Sequence, residues 1–341
     1  MPSTMETLGP LLGLLVSLSV ILLGSELFTN GVEWAGKRLK LAEGAVGSLL
    51  AAVGTALPET LVPIVAIFFS TAHAGMDVGV GAIAGAPFML ATLAFFVMGG
   101  IVLVSSRRGR RSPRIQADPA VIGQDLRFFM GLYLLAVLVT FTPSTAVRLG
   151  VAAVLVLGYA YYAYLHLREE GGDAHDPHPL HLSRLLPVRP RLRFIGSQIL
   201  GGLLLIVGGA HFFVTYVTVL AQQWDVSPLV LSLLITPVAT ELPEKANSAL
   251  WLLRGKDTLA LGNVTGAMVF QSSVPVAIGV VFTPWDLKGL TLISAVLALG
   301  ASAVFYAVLR RRHRVHPAVF LLGGLFYGVF LGAVLWKALE G

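Results

Sequence analysis

The stretches that decide the fold are "VGTALPE" at residues 53–59 and "VATELPE" at residues 238–244. Each copy places a threonine, a proline and a glutamate at the same spacing in an apolar segment, and the copies are 185 residues apart. A second pair, "LLGSELF" at 22–28 and "IVGGAHFF" at 206–213, aligns at the same offset. Because chance does not usually preserve one offset across two motifs, the sequence predicts two homologous halves.

The composition is that of an integral membrane protein. The 341 residues are 56% hydrophobic and only 12% charged, with a mean hydropathy of +0.81. A soluble protein of this composition would need an apolar surface, so a soluble globular class is excluded. The lack of cysteine in the sequence also excludes disulfides and thiolate metal sites.

Apolar runs of roughly 20 residues can cross a bilayer as helices, and they predict an all-α protein of about ten spans rather than a β-barrel. The first run is too long, and too poorly charged at its flanks, for a cleaved signal peptide. The predicted spans are 9–35, 43–70, 77–104, 121–142, 145–167, 194–222, 227–253, 258–282, 286–309 and 315–338.

Basic residues lie mostly on one side of these spans. The loops after odd-numbered spans are rich in Lys and Arg, whereas the opposite side has only Arg148, Lys288 and Lys337. The positive-inside rule therefore places both termini outside the cytosol. The same asymmetry accounts for the net charge of +6, so we do not interpret that charge as a sign of nucleic-acid binding.

An odd number of spans in each half has a geometric consequence. The second half enters the membrane from the opposite side, so residues 1–167 and 194–341 are predicted to be inverted five-helix repeats, joined by a cytosolic loop at 168–193. Secondary transporters of this architecture place their substrate near the bilayer midplane, where broken helices of the two repeats meet.

The prolines of the repeated motif are expected to disturb their helices. Pro58 and Pro243 have no amide hydrogen, so the carbonyls four residues earlier, on Gly54 and Ala239, lose their helical partners. A carbonyl freed inside a membrane needs another donor or a cation. Either proline alone would more often be a structural kink.

A threonine and a glutamate share a helix face with each proline. Thr55 and Glu59 are four residues apart, as are Thr240 and Glu244, so hydroxyl, carboxylate and carbonyl oxygens meet on one face. Oxygen ligands of this kind suit sodium or calcium. An ionised side chain at a helix centre costs roughly 2.5 to 3.5 kcal/mol. Such a cost at two equivalent positions indicates a binding site.

These motifs resemble the two α-repeats of the sodium/calcium exchanger family, the calcium/cation antiporters. The resemblance covers nearly the whole chain, including "LLGSEL" and a glycine-rich segment one helix after each motif. It implies a ten-helix antiporter that exposes a central site alternately to each side and exchanges calcium against sodium or, in one branch, protons. By position, the metal-binding role falls on Glu59 and Glu244, assisted by Thr55, Thr240 and the motif carbonyls. The resemblance implies no cofactor, because the cations are cargo.

The third helix of each half departs from the family pattern. Relatives have a serine and a final Asn or Asp there, whereas this chain has Ala86 and Leu90 in "GAPFML" and Ala267 and Gln271 in "GAMVFQ". Oxygen ligands are therefore lost, and Gln271 is the remaining, neutral candidate ligand.

The second motif gains two charged residues, Glu241 and Lys245. They are four residues apart in the acid-first order, which favours an internal ion pair. Alternatively, the Lys245 ammonium enters the cage and replaces a coupling cation. With the internal pair formed, Glu59 and Glu244 carry a formal charge of −2, which one divalent ion, two sodium ions or two protons would neutralise. Sodium and protons therefore both stay open as the driving ion.

Other ionisable residues have competing interpretations. Glu26 and His211, at equivalent positions in the first helix of each half, either belong to a gate or form an interhelical contact. The segment "DAHDPHPLH" places His175, His178 and His181 three residues apart. Its prolines and the lack of a helical pattern favour a solvated cytosolic loop over a metal site.

The leading hypothesis is a secondary-active cation antiporter, not an enzyme, in a prokaryotic plasma membrane. Its expected partners are inorganic cations and the lipid bilayer, and its oligomeric state is left open. A membrane-embedded enzyme finds no support, since the sequence has no HExxH, Asp-rich diphosphate motif or nucleophile constellation. A channel or a non-transporting sensor is a remote alternative, for which the lost third-helix ligands are the best argument.

Overall fold

The computed structural model describes residues 4–39, 56–70, 73–169, 179–185, 191–311 and 315–340. Within these ranges the chain is helical apart from its turns and one isolated antiparallel bridge between Ile115 and Val315. Eight helical segments there are long and apolar enough to cross a membrane, and two of them, His73–Arg107 and Asp257–Phe282, contain an irregular stretch. Two shorter apolar helices cover Pro58–Phe69 and Pro228–Glu241. An all-α integral membrane protein is confirmed. The division into ten spans and inverted repeats stays a prediction.

The helices are named in chain order. They are α1 (Thr4–Arg38), α2 (Leu57–Phe69), α3 (His73–Met89), α4 (Phe95–Arg107), α5 (Pro119–Leu138), α6 (Thr145–Glu169), α7 (His181–Leu185), α8 (Leu192–Gln223), α9 (Pro228–Leu253), α10 (Asp257–Gln271), α11 (Val274–Phe282), α12 (Leu290–Arg311) and α13 (Ala318–Glu340). A π-helix (Leu90–Ala94) joins α3 to α4, and a 3-10 turn (Val139–Phe141) follows α5.

Two spans that the sequence predicts as continuous helices are interrupted. The 77–104 span contains the π-helix, which begins three residues after Pro87. The 258–282 span breaks at residues 272–273, and Pro275 lies in the first turn of the next helix, where its missing N–H costs nothing. The interruptions begin at Leu90 and directly after Gln271, two positions that the internal repeat aligns at an offset of 181.

The chain forms two compact units, and the first comprises residues 1–78 and 160–225. Its largest contact is the lengthwise packing of α1 on α8, and α2 packs against both helices. At 35 and 32 residues, α1 and α8 are each about 50 Å long. This exceeds the roughly 30 Å of a hydrocarbon core, so both helices tilt or extend beyond it.

Glycines set the close approach of α1 and α8. A Cβ atom at Gly24 would lie 2.8 Å from the Gly202 carbonyl oxygen, and one at Gly202 would lie 2.7 Å from the Gly24 carbonyl oxygen. Gly209 has the same role about two turns further along α8, since its Cβ would lie 2.8 Å from Ile21 Cγ1. Small residues of this kind allow membrane helices to pack backbone against backbone.

The second unit comprises residues 79–159 and 226–341. Its α3 lies directly on α9, because Cβ atoms at Gly81 and Gly85 would fall 2.3 Å and 2.2 Å from carbonyl oxygens of Leu229 and Leu233. An aromatic cluster of Phe95, Phe305 and Phe320, with centroids 4.4 to 5.6 Å apart, fills the space between α4, α12 and α13.

We expect Gly202→Ala to destabilise the protein and the neighbouring Gly201→Ala to leave it intact. The new methyl group at position 202 meets backbone atoms of Gly24 and Phe28, which no rotamer change relieves, and overpacking of this kind costs about 1–3 kcal/mol. A Cβ at Gly201 meets nothing within 4 Å. Apparent unfolding temperatures in detergent should fall by several degrees for the first variant alone. Equal temperatures would contradict the close approach of α1 and α8.

Candidate cation-binding site

The second motif lies on a polar stripe of α9. Ser232, Thr236 and Thr240 follow one another at four-residue intervals and are all buried. Ser232 Oγ and Thr236 Oγ1 are 2.9 Å apart, and Thr240 Oγ1 donates to the Thr236 carbonyl oxygen at 3.1 Å. Because the Thr240 hydroxyl proton is used inside the helix, its oxygen keeps lone pairs for another partner, which a cation ligand requires.

Both carboxylate oxygens of Glu241 have partners in the structure. Its carboxylate is 1% exposed; Lys245 Nζ lies 3.2 Å from Oε2, and Gln271 Nε2 donates to Oε1 at 3.1 Å. Each carboxylate oxygen therefore has its own donor. Of the two arrangements considered for Lys245, the structure shows the ion pair with Glu241. The amide of Gln271 also binds Glu241.

The other aligned positions of the third helices are apolar and enclosed. Ala86 and Leu90 are buried on α3 and at the start of the π-helix, and Ala267 is half-buried on α10. None of these side chains offers an oxygen. The sequence analysis did not predict the π-helix, although Pro87, three residues before it, was a signal for an irregular helix. Single-turn π segments are frequent at functional sites because they redirect side chains and carbonyls.

The first motif is described from Ala56 onwards. Glu59 is the third residue of α2 and is 5% exposed. Pro58 takes the second position of α2, where no N–H donor is needed. Gly54 and Thr55 lie outside the described residues, so the predicted free carbonyl and hydroxyl there stay predictions.

The second motif proline does not break its helix. The α9 backbone runs from Pro228 to Leu253 as one α-helix, through Pro243 and Glu244. Pro243 has no N–H to donate to the Ala239 carbonyl, so a single hydrogen bond is removed. The side chains of Pro243 and Glu244 lie outside those that the structure describes. Among the described side chains, no cluster of three or more Asp, Glu or His could hold a metal ion.

The sequence analysis missed a buried acid, Asp125. This side chain of α5 is 1% exposed, and Thr265 Oγ1 of α10 lies 2.5 Å from its Oδ2. A carboxylate inside a predicted span was itself the signal. Because α10 also carries Gln271, this contact holds the helix that supplies a donor to Glu241.

A second missed contact is the buried ion pair of Arg111 and Asp257. Arg111 Nη2 lies 2.9 Å from Asp257 Oδ2, and the Gln116 N–H donates to the same oxygen at 2.8 Å. Arg111 also donates to the Leu252 carbonyl oxygen at 2.5 Å. Arg111, which lies in a basic loop after an odd-numbered predicted span, therefore ties the α4–α5 loop to the turn between α9 and α10.

The structure corrects the interpretation of the histidine-containing loop at its end. His181 begins helix α7, and its N–H donates to Asn30 Oδ1 at 3.1 Å, so this part is docked on α1 and not a solvated loop. His181 Nε2 also lies 3.1 Å from Glu26 Oε1, which gives Glu26 an interhelical contact. His211 is exposed beside Phe212. His175 and His178 lie outside the described residues.

The chain matches one protein family over most of its length. A family model described as sodium/calcium exchanger protein matches residues 9–168 and 196–336. The chain belongs to the sodium/calcium exchanger family. The resemblance inferred from the doubled motif is confirmed, and this exchanger is a membrane transporter of inorganic cations.

Two curated relatives cover most of the chain. The putative antiporter CaxA of Alkalimonas amylolytica is 24% identical over 327 residues, which are 93% of this chain and 97% of CaxA. The inner membrane protein YrbG of Escherichia coli (strain K12) is 23% identical over 300 residues, or 85% of this chain and 86% of YrbG.

Solved structures share the fold. The crystal structure of the H+/Ca2+ exchanger CAX aligns with a TM-score of 0.72 and 17% identity, over 96% of this chain and 86% of CAX. The sodium-calcium exchanger NCX_Mj aligns with a TM-score of 0.57 and 17% identity, over 96% of this chain and 99% of NCX_Mj. At these identities the likeness concerns the fold alone.

We expect Thr265→Val to destabilise the exchanger and Thr265→Ser to leave it near wild type. Valine keeps the shape but removes the hydroxyl that contacts buried Asp125, and losing a hydrogen bond to a buried acid costs about 1–3 kcal/mol. Serine keeps that hydroxyl. The readout is the apparent unfolding temperature of the purified protein. A similar loss in both variants would assign the effect to packing by the threonine methyl group.

Proposed function

We propose that this exchanger is a secondary-active antiporter that moves calcium or a related cation against sodium. Exchange occurs by alternating access at a carboxylate site near the bilayer midplane, with Glu59 and Glu244 as its principal ligands. Ten helices form two inverted repeats, residues 1–167 and 194–341, with both termini outside and residues 168–193 in the cytosol. Membership of the exchanger family and the doubled motif support this arrangement.

The observation that carries the proposal is the neutralisation of Glu241. This acid is extra to the repeated motif, and Lys245 and Gln271 hold both of its oxygens. The motif acids Glu59 and Glu244 are the pair that we assign to the transported ion. Glu59 is buried near the start of an apolar helix, where an ionised carboxylate is retained for a function.

The interruptions of the third helices support the inverted repeat. They begin at the aligned positions Leu90 and Gln271, one as a π-helix and one as a break between two helices. Irregular backbone at membrane depth is tolerated where it is buried in protein or lines a cavity. Paired interruptions at repeat-related positions are typical of transporters with inverted repeats.

A proton-driven exchanger is the second candidate, and the apolar side chains at Ala86 and Leu90 favour it. Both are buried where sodium/calcium exchangers have oxygen ligands. A site with fewer oxygens is poorer for sodium, which needs a full coordination shell, whereas a proton needs a single carboxylate. In this version two protons take the place of the sodium ions at Glu59 and Glu244.

Flux measurements in proteoliposomes test the proposal. We expect calcium uptake that depends on an opposing sodium gradient, and we expect Glu59→Gln and Glu244→Gln each to lower it at least tenfold because each removes a ligand charge. Glu26→Gln is the matched control, since Glu26 is an exposed acid that contacts His181. It should keep wild-type flux.

Flux in the same proteoliposomes also identifies the driving ion. Uptake that follows an imposed proton gradient and ignores sodium selects the second candidate. Calcium leak independent of both gradients would contradict an antiporter, and normal exchange by Glu244→Gln would contradict the ligand assignment.

A charge-removal cycle tests the internal pair. Lys245→Met leaves Glu241 buried without its cation, which is strongly unfavourable, so cation affinity should change by tenfold or more. The double variant Glu241→Gln/Lys245→Met removes both charges and should return towards wild type. If Lys245 instead serves as a built-in cation at the transport site, the double variant keeps the defect of the single variant and the number of coupled ions changes.

A further inference from the structure

A basic cavity in the second unit lies apart from the residues discussed so far. It has a volume of about 360 Å³, is open to the surface, and is bounded by the first turns of α5 and the last turns of α12, two helices that pack on each other. Its lining consists of Pro119, Ala120, Gly123, Arg127, Tyr306 and Arg310. None of these residues is acidic, and two carry guanidinium groups.

The two arginines reach the cavity from different helices. Arg127 Nε donates to the Gly123 carbonyl oxygen at 3.2 Å, which keeps the guanidinium beside the cavity with its terminal amino groups available. Arg310 stands in the last turn of α12, one turn beyond the Tyr306 hydroxyl. Asp118 is used for another purpose, because it caps Ala120 N–H at 2.8 Å and does not line the cavity.

Glycine at position 123 keeps the cavity open. A Cβ atom there would already be 3.6 Å from Tyr306 Cε2, so a longer side chain would occupy the space between the two helices. The cavity is therefore a gap formed by packing of α5 against α12.

The cavity lies at membrane-surface depth. Pro119–Phe141 and Leu290–Arg311 are both membrane-spanning candidates, and the cavity is at the beginning of the first and the end of the second. This is the end that carries Arg107 at the end of α4 and Arg108, Arg110 and Arg111 in the loop before α5. Phospholipid phosphates are concentrated at this depth, and basic pockets between helices on the positively charged side suit anionic headgroups.

We propose that this cavity binds the phosphate of an anionic phospholipid headgroup, with Arg127 and Arg310 as its ligands and the Tyr306 hydroxyl as an additional donor. Guanidinium groups match phosphate because two N–H donors face two phosphate oxygens. None of the cavity's lining residues belongs to the repeated motif, so the proposal does not depend on which ion drives exchange.

Lipid binding to the full-length protein tests the proposal. Purified exchanger in neutral detergent is titrated with phosphatidylglycerol or phosphatidylcholine, and bound lipid is counted by native mass spectrometry alongside the apparent unfolding temperature. The variant is Arg127→Gln/Arg310→Gln. The matched control is Arg254→Gln/Lys256→Gln, which removes two exposed charges from the α9–α10 turn at the same end of the unit.

We expect wild-type protein and the control to bind phosphatidylglycerol tightly and to be stabilised by it, with little effect of phosphatidylcholine. The cavity variant should bind roughly thirtyfold more weakly, the factor for two lost surface contacts. Equal weakening in the control would reduce the effect to general surface charge and overturn the site. Stabilisation by inorganic phosphate alone, equal to that by phosphatidylglycerol, would overturn the assignment to lipid.

Discussion

A carboxylate buried in an apolar helix is costly unless donors compensate its charge, and the arrangement around Glu241 meets this requirement. Lys245 supplies one donor from the next turn of α9, and Gln271 supplies the other from the last turn of α10. The second contact fixes the end of α10 against α9. Directly after that residue the chain breaks at 272–273 before α11 begins. The contact between Glu241 and Gln271 therefore lies directly before this break.

The same requirement anchors α10 along its whole length. Asp257 at its start is held by Arg111 and by the Gln116 N–H, and Thr265 in its middle contacts Asp125. Three carboxylates, of Asp257, Asp125 and Glu241, thus contact the start, middle and end of α10. This helix also carries Gln271, the one polar side chain among the four third-helix positions that depart from the family pattern. Hydrophobic packing alone would let such a helix slide against apolar neighbours, whereas short polar contacts set its register.

Sequence reasoning succeeded where the deciding information is local and failed where it is tertiary. The four-residue spacing of Glu241 and Lys245 on one helix was enough to favour their pair, and hydropathy was enough to predict an all-α integral membrane protein. The contact of Asp125 with Thr265 joins residues 140 positions apart, and no pattern along the chain links them. Likewise, prolines and histidines predicted a solvated loop around His181. In the structure the His181 N–H donates to Asn30 and the Leu182 N–H donates to Gln198, which holds the segment on α1 and α8. The interruptions of the third helices were missed for a different reason. The hydropathy of these spans is continuous, and only the prolines mark the interruptions.

The surroundings of Lys245 explain why its charge stays with Glu241. A cavity of about 110 Å³ adjoins the lysine, and apart from it the lining is aliphatic side chains and methionine: Ala94, Val97, Met98, Ile101, Ala249 and Val264. An ammonium group that left the pair in this direction would lose its counter-ion and gain no hydrogen-bond acceptor from these side chains, a cost of several kcal/mol. The lysine is therefore retained as a partner of Glu241, and we propose that the two extra charges act on the proposed site through Gln271. Under this proposal, a change in the pair alters how firmly the end of α10 is held, and with it the geometry that Gln271 offers to a cation.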